Sequence, residues 1–221
     1  MTLDVMRYFA EIADRLMPAN RPGFAALFVA LLQELAKGCP VSPGTLACAL
    51  RWPVERVTAL LERAADTEYD DEGNIVGYGL TLRETAHALE IDGQRLYTWC
   101  ALDTLIFPVV LGRAAQVVSH CAGTGAAIVL RITPDAIAKS EPPDPVLSLI
   151  VPSTSGDIRH SFCCHVHFFA STFVADGWIS RHVGTEIASM REACQLGRAL
   201  AGRLLQAATV QDGTGLNRPG I

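Results

Sequence analysis

The sequence predicts an α+β protein: a winged-helix-like helical region over residues 1–81, followed by a mixed α/β region over 82–221 with short, mostly antiparallel strands. Three observations carry this. Apolar residues recur at helical spacing through the first third, a charged turn between two β-like runs follows, and the remaining apolar runs are short and separated by Gly, Pro and Ser-Thr clusters. With 221 residues, 50% apolar and 19% charged, the chain is long enough to bury a substantial core.

Leu3, Met6, Ala10, Ile12 and Leu16 fall on one helical face, and the stretch 17–23, with Pro18, Pro22 and Gly23, breaks the pattern. Residues 24–37 are too apolar for a surface helix, so this helix is central, and Gly38 and Pro40 stop it. Ser42 caps a short helix to residue 50, Trp52-Pro53 turns the chain, and 54–65 carries Val57, Leu60 and Leu61 on one face. Residues 67–69, 70–73 and 74–78 read as strand, tight turn and strand, which completes a winged helix over 24–80. Beyond it, β-like runs are expected at 80–89, 116–120, 126–133, 146–152 and 161–169, with loops at 141–145 and 154–157. Residues 184–190 are a last strand or a helix start, 192–207 a closing helix despite Gly197 and Gly202, and 211–221 a frayed tail.

A winged helix invites a DNA-binding reading, but residues 41–80 hold Arg51, Arg56 and Arg63 against seven acids, within a chain of net charge −5. That balance repels phosphate, so the region is expected to serve packing, with no nucleic-acid partner. Seven cysteines without a CxxC pair argue against a disulfide framework and for a reducing, cytoplasmic setting. Asp4, Arg7, Glu11, Asp14 and Arg15 interrupt any export signal, and the uncharged stretch 114–130 is too polar and short to span a membrane.

Two segments could carry chemistry. In the first, a helix over 101–107 would place Cys100 at its N-terminal end and Asp103 one turn on, so thiol and carboxyl face one cavity. The helix dipole and free amides would favour the thiolate, while the carboxylate opposes it, so the two should share a proton. The plainer alternatives are a buried small thiol beside Trp99 and an ordinary acid in a first helical turn. In the second, strand alternation over 161–170 would point Cys163, His165 and His167 to one face and Cys164 to the other. A zinc site is one reading, but residues two apart on a strand do not readily close a tetrahedron, and histidines hydrogen-bonded within the fold are preferred. Cys121 is either a third thiol near the site or a core thiol packing a turn, and Cys39, Cys48 and Cys194 have no evident acid-base partner.

The stretches ELAKGCPVS, TEYDDEGNIVGYGLTLRET, RLYTWCALDTLIFP, SHCAGTGA and SFCCHVHFFAS, in order from about residue 34 to 171, closely resemble the bacterial organomercurial (alkylmercury) lyases of mercury-resistance systems. The first 30 residues and the tail after about 208 depart from that pattern. The resemblance implies protonolytic cleavage of a carbon–mercury bond to a hydrocarbon and Hg(II), with a winged-helix-like region ahead of a mixed α/β catalytic region. Carried over by motif, the reacting groups are Cys100 and Asp103 of WCALD and Cys163, the first cysteine of SFCCHVHFF, which also hold the mercury of substrate and product. No organic cofactor is implied; external thiols are needed for turnover, and cellular thiols or mercuric reductase are the expected Hg(II) acceptors. The apolar neighbours Trp99, Leu102, Leu105, Ile106 and Phe107 would favour alkyl or aryl groups and keep the carboxyl neutral. The competing classes are a thiol-based metal-responsive winged-helix regulator and a mercury-binding module without cleavage.

Overall fold

The computed structural model describes residues 4–16, 22–151 and 158–212. Most of the expected break at 17–23, the loop at 154–157 and the tail from 213 onward lie outside them. The first half contributes α1 (Val5–Leu16), α2 (Phe24–Leu35), α3 (Pro43–Leu50) and α4 (Val54–Glu62). Ser42 caps α3 by accepting the Thr45 amide at 3.1 Å, with Pro43 at the first helical position, an arrangement worth about 1 kcal/mol. The wing is β1 (Glu68–Tyr69) and β2 (Ile75–Tyr78), and the Asp70 carboxylate closes the turn by accepting the amides of Glu72 and Asn74.

The chain continues through β3 (Leu80–Thr81), β4 (His87–Ile91), β5 (Gln94–Thr98), α5 (Asp103–Leu111), β6 (Ala115–His120), β7 (Ala127–Ile132), β8 (Ile137–Glu141) and β9 (Val146–Ile150). It ends with α6 (Ile158–Ser161), a 3-10 turn at Cys163–His165, β10 (Phe168–Phe169), α7 (Thr172–Ile179), β11 (Thr185–Ser189) and α8 (Met190–Asp212). An eight-stranded sheet in the order β1-β2-β3-β5-β4-β6-β7-β8 joins neighbours antiparallel throughout, so the wing strands run directly into the sheet of the second half. A second sheet, β10-β9-β11, has three strands. Along β6 the buried residues Ala115, Val117 and Ser119 alternate with exposed ones, which fixes the face turned to the core.

The apolar sequence of α2 is explained by its position, since it packs against α3, α5, β3 and α8 and buries residues on every side. The closing helix α8 lies across α1, α2 and α5. Three expectations are corrected. The run at 80–89 is divided between β3 and β4, the last helix already includes the first two residues of the expected frayed tail, and 161–169 is not one strand. There, the amides of His165 and Val166 bond to Phe162 and Cys163 carbonyls three residues back, so the backbone is satisfied by a tight turn and only Phe168–Phe169 ladders with β9. Within 184–190, Thr185–Ser189 forms β11 and Met190 already starts α8. No helix of the described residues is long and apolar enough to cross a membrane.

Candidate active site

Residues 98–103 leave β5 and enter α5 through a turn that is closed by side chains. The Thr98 hydroxyl donates to the Cys100 carbonyl at 2.9 Å, and the Cys100 amide donates to Asp103 Oδ2 at 3.1 Å. Asp103 thereby reaches back three residues to the Cys100 amide, which fixes its carboxyl beside the cysteine. The helix begins at Asp103, two residues later than the sequence suggests, because Ala101 and Leu102 form this turn.

Glycine makes the turn's close packing possible. Trp99 donates its amide to the Gly79 carbonyl at 2.9 Å, Gly79 has φ +72°, and a Cβ there would approach Phe107 Cζ to 2.8 Å. On the opposite side, the Ala101 amide donates to the Val166 carbonyl at 3.2 Å, tying this turn to the 3-10 turn that carries Cys163.

The result is that one sulfur each from Cys100 and Cys163 and a carboxylate oxygen of Asp103 all lie within 4.8 Å of one another. Cys100 is 0% exposed and Cys163 6%, while Asp103 keeps partial exposure. An apolar cavity of about 30 Å³, room for roughly two waters, opens on Asp103 and Cys163. Trp99, Leu102, Ile106 and Phe107 line it as the sequence suggests, and Leu105 does not; that residue faces Gly197 of α8 instead. Phe28, Tyr78, Phe162 and Leu200, from four other parts of the chain, add to the wall.

Burial dominates the electrostatics. It pushes the Asp103 carboxyl up to about 7, against the pull of its hydrogen bonds with the side chain and amide of Cys100. Cys100 is raised well above an ordinary thiol, first by burial, then by its hydrogen bond with Cys163 and by the Asp103 charge. The helix N-terminus does favour its thiolate, since the Asp103 amide hydrogen-bonds the sulfur and lowers it, but burial outweighs that contribution. Cys163 is lowered by the hydrogen bond from Cys100, but burial and the Asp103 charge leave it raised overall. The two thiols share one hydrogen bond and titrate as a coupled pair, both raised by burial.

The remaining candidates fall outside this cluster. The 3-10 turn removes the alternation that would align Cys163, His165 and His167; Cys164 is exposed, and His167 donates from Nε2 to the Cys164 carbonyl at 3.0 Å. Among the described residues, the sole cluster of three potential ligands is Cys100, Asp103 and Cys163. Cys121 follows β6, is buried, and accepts the Ala170 amide on its sulfur at 3.3 Å. Although burial raises it, that bond and those from Thr124 and Gly123 pull its thiol below the ordinary value. Sequence reasoning missed Glu68 and Arg159, which meet beside Trp99 and are separated by 91 positions, a pairing that no local pattern signals.

The family profile described as "Alkylmercury lyase" matches residues 80–202, and the profile "Helix-turn-helix domain of alkylmercury lyase" matches residues 8–79. An alkylmercury lyase of Pseudomonas putida is 51% identical over 205 residues, covering 92% of this chain and 97% of the relative. One from Streptomyces lividans is 44% identical over 200 residues, covering 88% and 93%. Among solved structures, the mercury-bound form of MerB2 aligns with TM-score 0.74 over 91% of this chain and 98% of that one, at 21% identity, a likeness of fold.

Proposed function

The chain belongs to the alkylmercury lyase family, and we propose that it breaks the carbon–mercury bond with Cys100, Cys163 and Asp103. The observation that supports this assignment is the convergence of two sulfurs and a carboxyl within 4.8 Å beside an apolar cavity. Mercury is a soft cation that prefers thiolate to oxygen or nitrogen donors, so two converging cysteines capture R–Hg⁺ selectively. Both thiols are held protonated by burial, and mercury displaces those protons.

Cys163 binds first and releases its proton to solvent, which leaves Cys100, the thiol in contact with Asp103, as the second ligand. On ligation of Cys100, the second proton passes to the Asp103 carboxylate, which is in hydrogen-bond contact with that thiol. With two thiolates donating to mercury, the carbon gains carbanion character. Asp103 then gives the proton to carbon, the electron pair of the C–Hg bond becomes the new C–H bond, and Hg(II) stays on the two sulfurs. A carboxyl titrating near 7 suits this shuttle, because it both accepts and returns a proton at neutral pH. The apolar cavity walls receive the organic group.

The bound Hg(II) leaves by exchange with external thiols, cellular thiols or mercuric reductase supplying them, and the chemistry calls for no organic cofactor. The site suits a reducing cytoplasm, where all seven free cysteines persist as thiols. Acidic residues prevail over residues 41–80, so DNA is not a partner.

A headspace assay for benzene from phenylmercury tests the assignment. Cys100→Ala and Cys163→Ala should each fall to background while remaining folded. Asp103→Asn should bind mercury yet release hydrocarbon about 10²- to 10⁴-fold more slowly, the range expected for loss of a positioned general acid. Near-normal release by any of the three would remove that residue from the mechanism, and mercury binding without hydrocarbon from the unaltered protein would leave a binding module.

A further inference from the structure

Beside the reacting cluster lies a buried polar group that the cleavage steps do not use. Glu68, on β1 in the wing, is 8% exposed, and three donors from distant parts of the chain converge on it. The Thr81 hydroxyl donates to Oε2 at 2.5 Å, while the Trp99 indole N–H at 3.2 Å and the Arg159 guanidinium at 2.5 Å both donate to Oε1. The guanidinium also lies over the Trp99 ring, 4.8 Å from its centroid. The opposing strand leaves room for the carboxylate: Gly77 pairs with Glu68, and a Cβ at Gly77 would collide with Glu68 Oε2 and come within 2.6 Å of Thr81.

The two outer donors sit next to the two thiols. Trp99 immediately precedes Cys100, and Arg159 is on α6, which leads into the turn bearing Cys163. After each thiol, the chain is tied once more, by the Ala101 amide on the Val166 carbonyl. The segments that carry the sulfurs are thus fastened on both sides, once through backbone and once through Glu68.

We propose that Glu68 is a positioning residue for the cleavage: through Trp99 and Arg159 it holds the Cys100 and Cys163 segments at the spacing that lets both sulfurs close on one mercury. The wing of the winged helix is in this way a part of the site's framework. Capture of R–Hg⁺ by a single thiol does not depend on that spacing, whereas ligation by the second thiol and proton delivery do. Loss of the tether should therefore act on kcat and leave KM little changed. An error of about 1 Å in such a geometry costs on the order of 10²-fold in rate.

This inference rests on the reading of the cluster as the active site, and the experiment separates the two. Benzene release from phenylmercury is followed under single-turnover and steady-state conditions for the unaltered protein, Glu68→Gln, Arg159→Met and the double variant, with thermal melting of each. Expected are 10- to 100-fold slower release by Glu68→Gln and by Arg159→Met at nearly constant KM, with the double variant no slower than the worse single, because the two act as one unit. Folded Glu68→Gln with undiminished kcat, a loss confined to KM, or losses that multiply in the double variant would overturn the tether. Should Glu68→Gln fail to fold, Arg159→Met decides alone, since its side chain is 37% exposed: unchanged kcat overturns the proposal. No hydrocarbon from the unaltered protein overturns the cleavage reading itself, and the tether with it.

Discussion

Two buried titratable side chains give the protein opposite responses to pH. Asp103 is raised by burial to about 7, so the folded protein holds a proton there that the unfolded chain gives up near the ordinary carboxylate value. Its contribution to stability is fully present below about pH 4 and is lost as pH rises through 7. His87, 3% exposed on β4, bonds through Nδ1 to the Ser119 hydroxyl at 2.7 Å and meets the Phe168 ring edge-on. Burial first, then the charges of His167 and His120, lower it to about 3, so here the unfolded chain takes the proton that the folded protein refuses. Its contribution is present above about pH 6.5 and is lost as pH falls toward 3. Over roughly pH 4–6.5 the two effects oppose each other, each with a slope of at most about 1.4 kcal/mol per pH unit for one proton. Difference measurements separate them. In urea titrations, the stability of Asp103→Asn relative to the unaltered protein should rise as pH increases from 4 to 7. That of His87→Gln should rise, relative to the unaltered protein, as pH falls from 6.5 toward 3. A flat difference for either variant would show that its group does not titrate as its burial dictates.

At the scale of elements, α8 contains two glycines whose surroundings give opposite expectations. Gly197 lies at the crossing with α5, where an added Cβ would come within 3.2 Å of Leu105 Cβ and 3.3 Å of that residue's backbone. Backbone in α5 cannot easily yield, so crowding of about 1–3 kcal/mol exceeds the gain of about 1 kcal/mol in helix propensity. Gly202 faces open space, and only the propensity gain remains. Gly202→Ala should raise the melting midpoint by about 2–4 °C, and Gly197→Ala should lower it by a similar amount and slow hydrocarbon release by shifting α5. The same midpoint change for both would refute the close crossing. Elements of this kind differ in how far the sequence reveals them. Ser42 with Pro43 marks α3 through local chemistry, and Cys100 with Asp103 is legible because i and i+3 meet whatever surrounds them. The 161–169 segment is different: its alternating Cys, His, Val and Phe imitate a strand, while its turn is fixed by Val166 accepting from Ala101, a contact remote in sequence. Glu68, Arg159, Phe28 and Tyr78 were invisible as site residues for the same reason, each being an ordinary acid, cation or aromatic until the fold assembles them.

The whole molecule divides by sequence pattern near residues 81 and 82, yet its packing crosses that line at every level. Wing strands β1, β2 and β3 continue the large sheet through the pairing of Leu80 with Thr98, and α8 packs on α1 and α2. Buried side chains from both halves form one cluster, from Tyr8 to Ala208. A unit ending at residue 81 would expose the faces of α2 that α5 and α8 cover, and a unit starting at 82 would lose both β3 beside β5 and the Glu68 partner of Trp99. Units joined by large apolar contacts and a shared sheet do not unfold separately, so the chain is expected to lose its helix signal, its aromatic tertiary signal and its hydrocarbon release together in urea. Residues 1–81 and 82–221 expressed apart should each lack a cooperative melt, and mixing them should restore both the melt and some cleavage if the shared core alone joins them. Two resolved transitions, or a cooperatively folded 82–221 fragment that still cleaves phenylmercury, would mean that the wing contributes nothing essential to the site. Cleavage by that fragment at an undiminished rate would also contradict the tether, because a 10- to 100-fold loss is expected without Glu68.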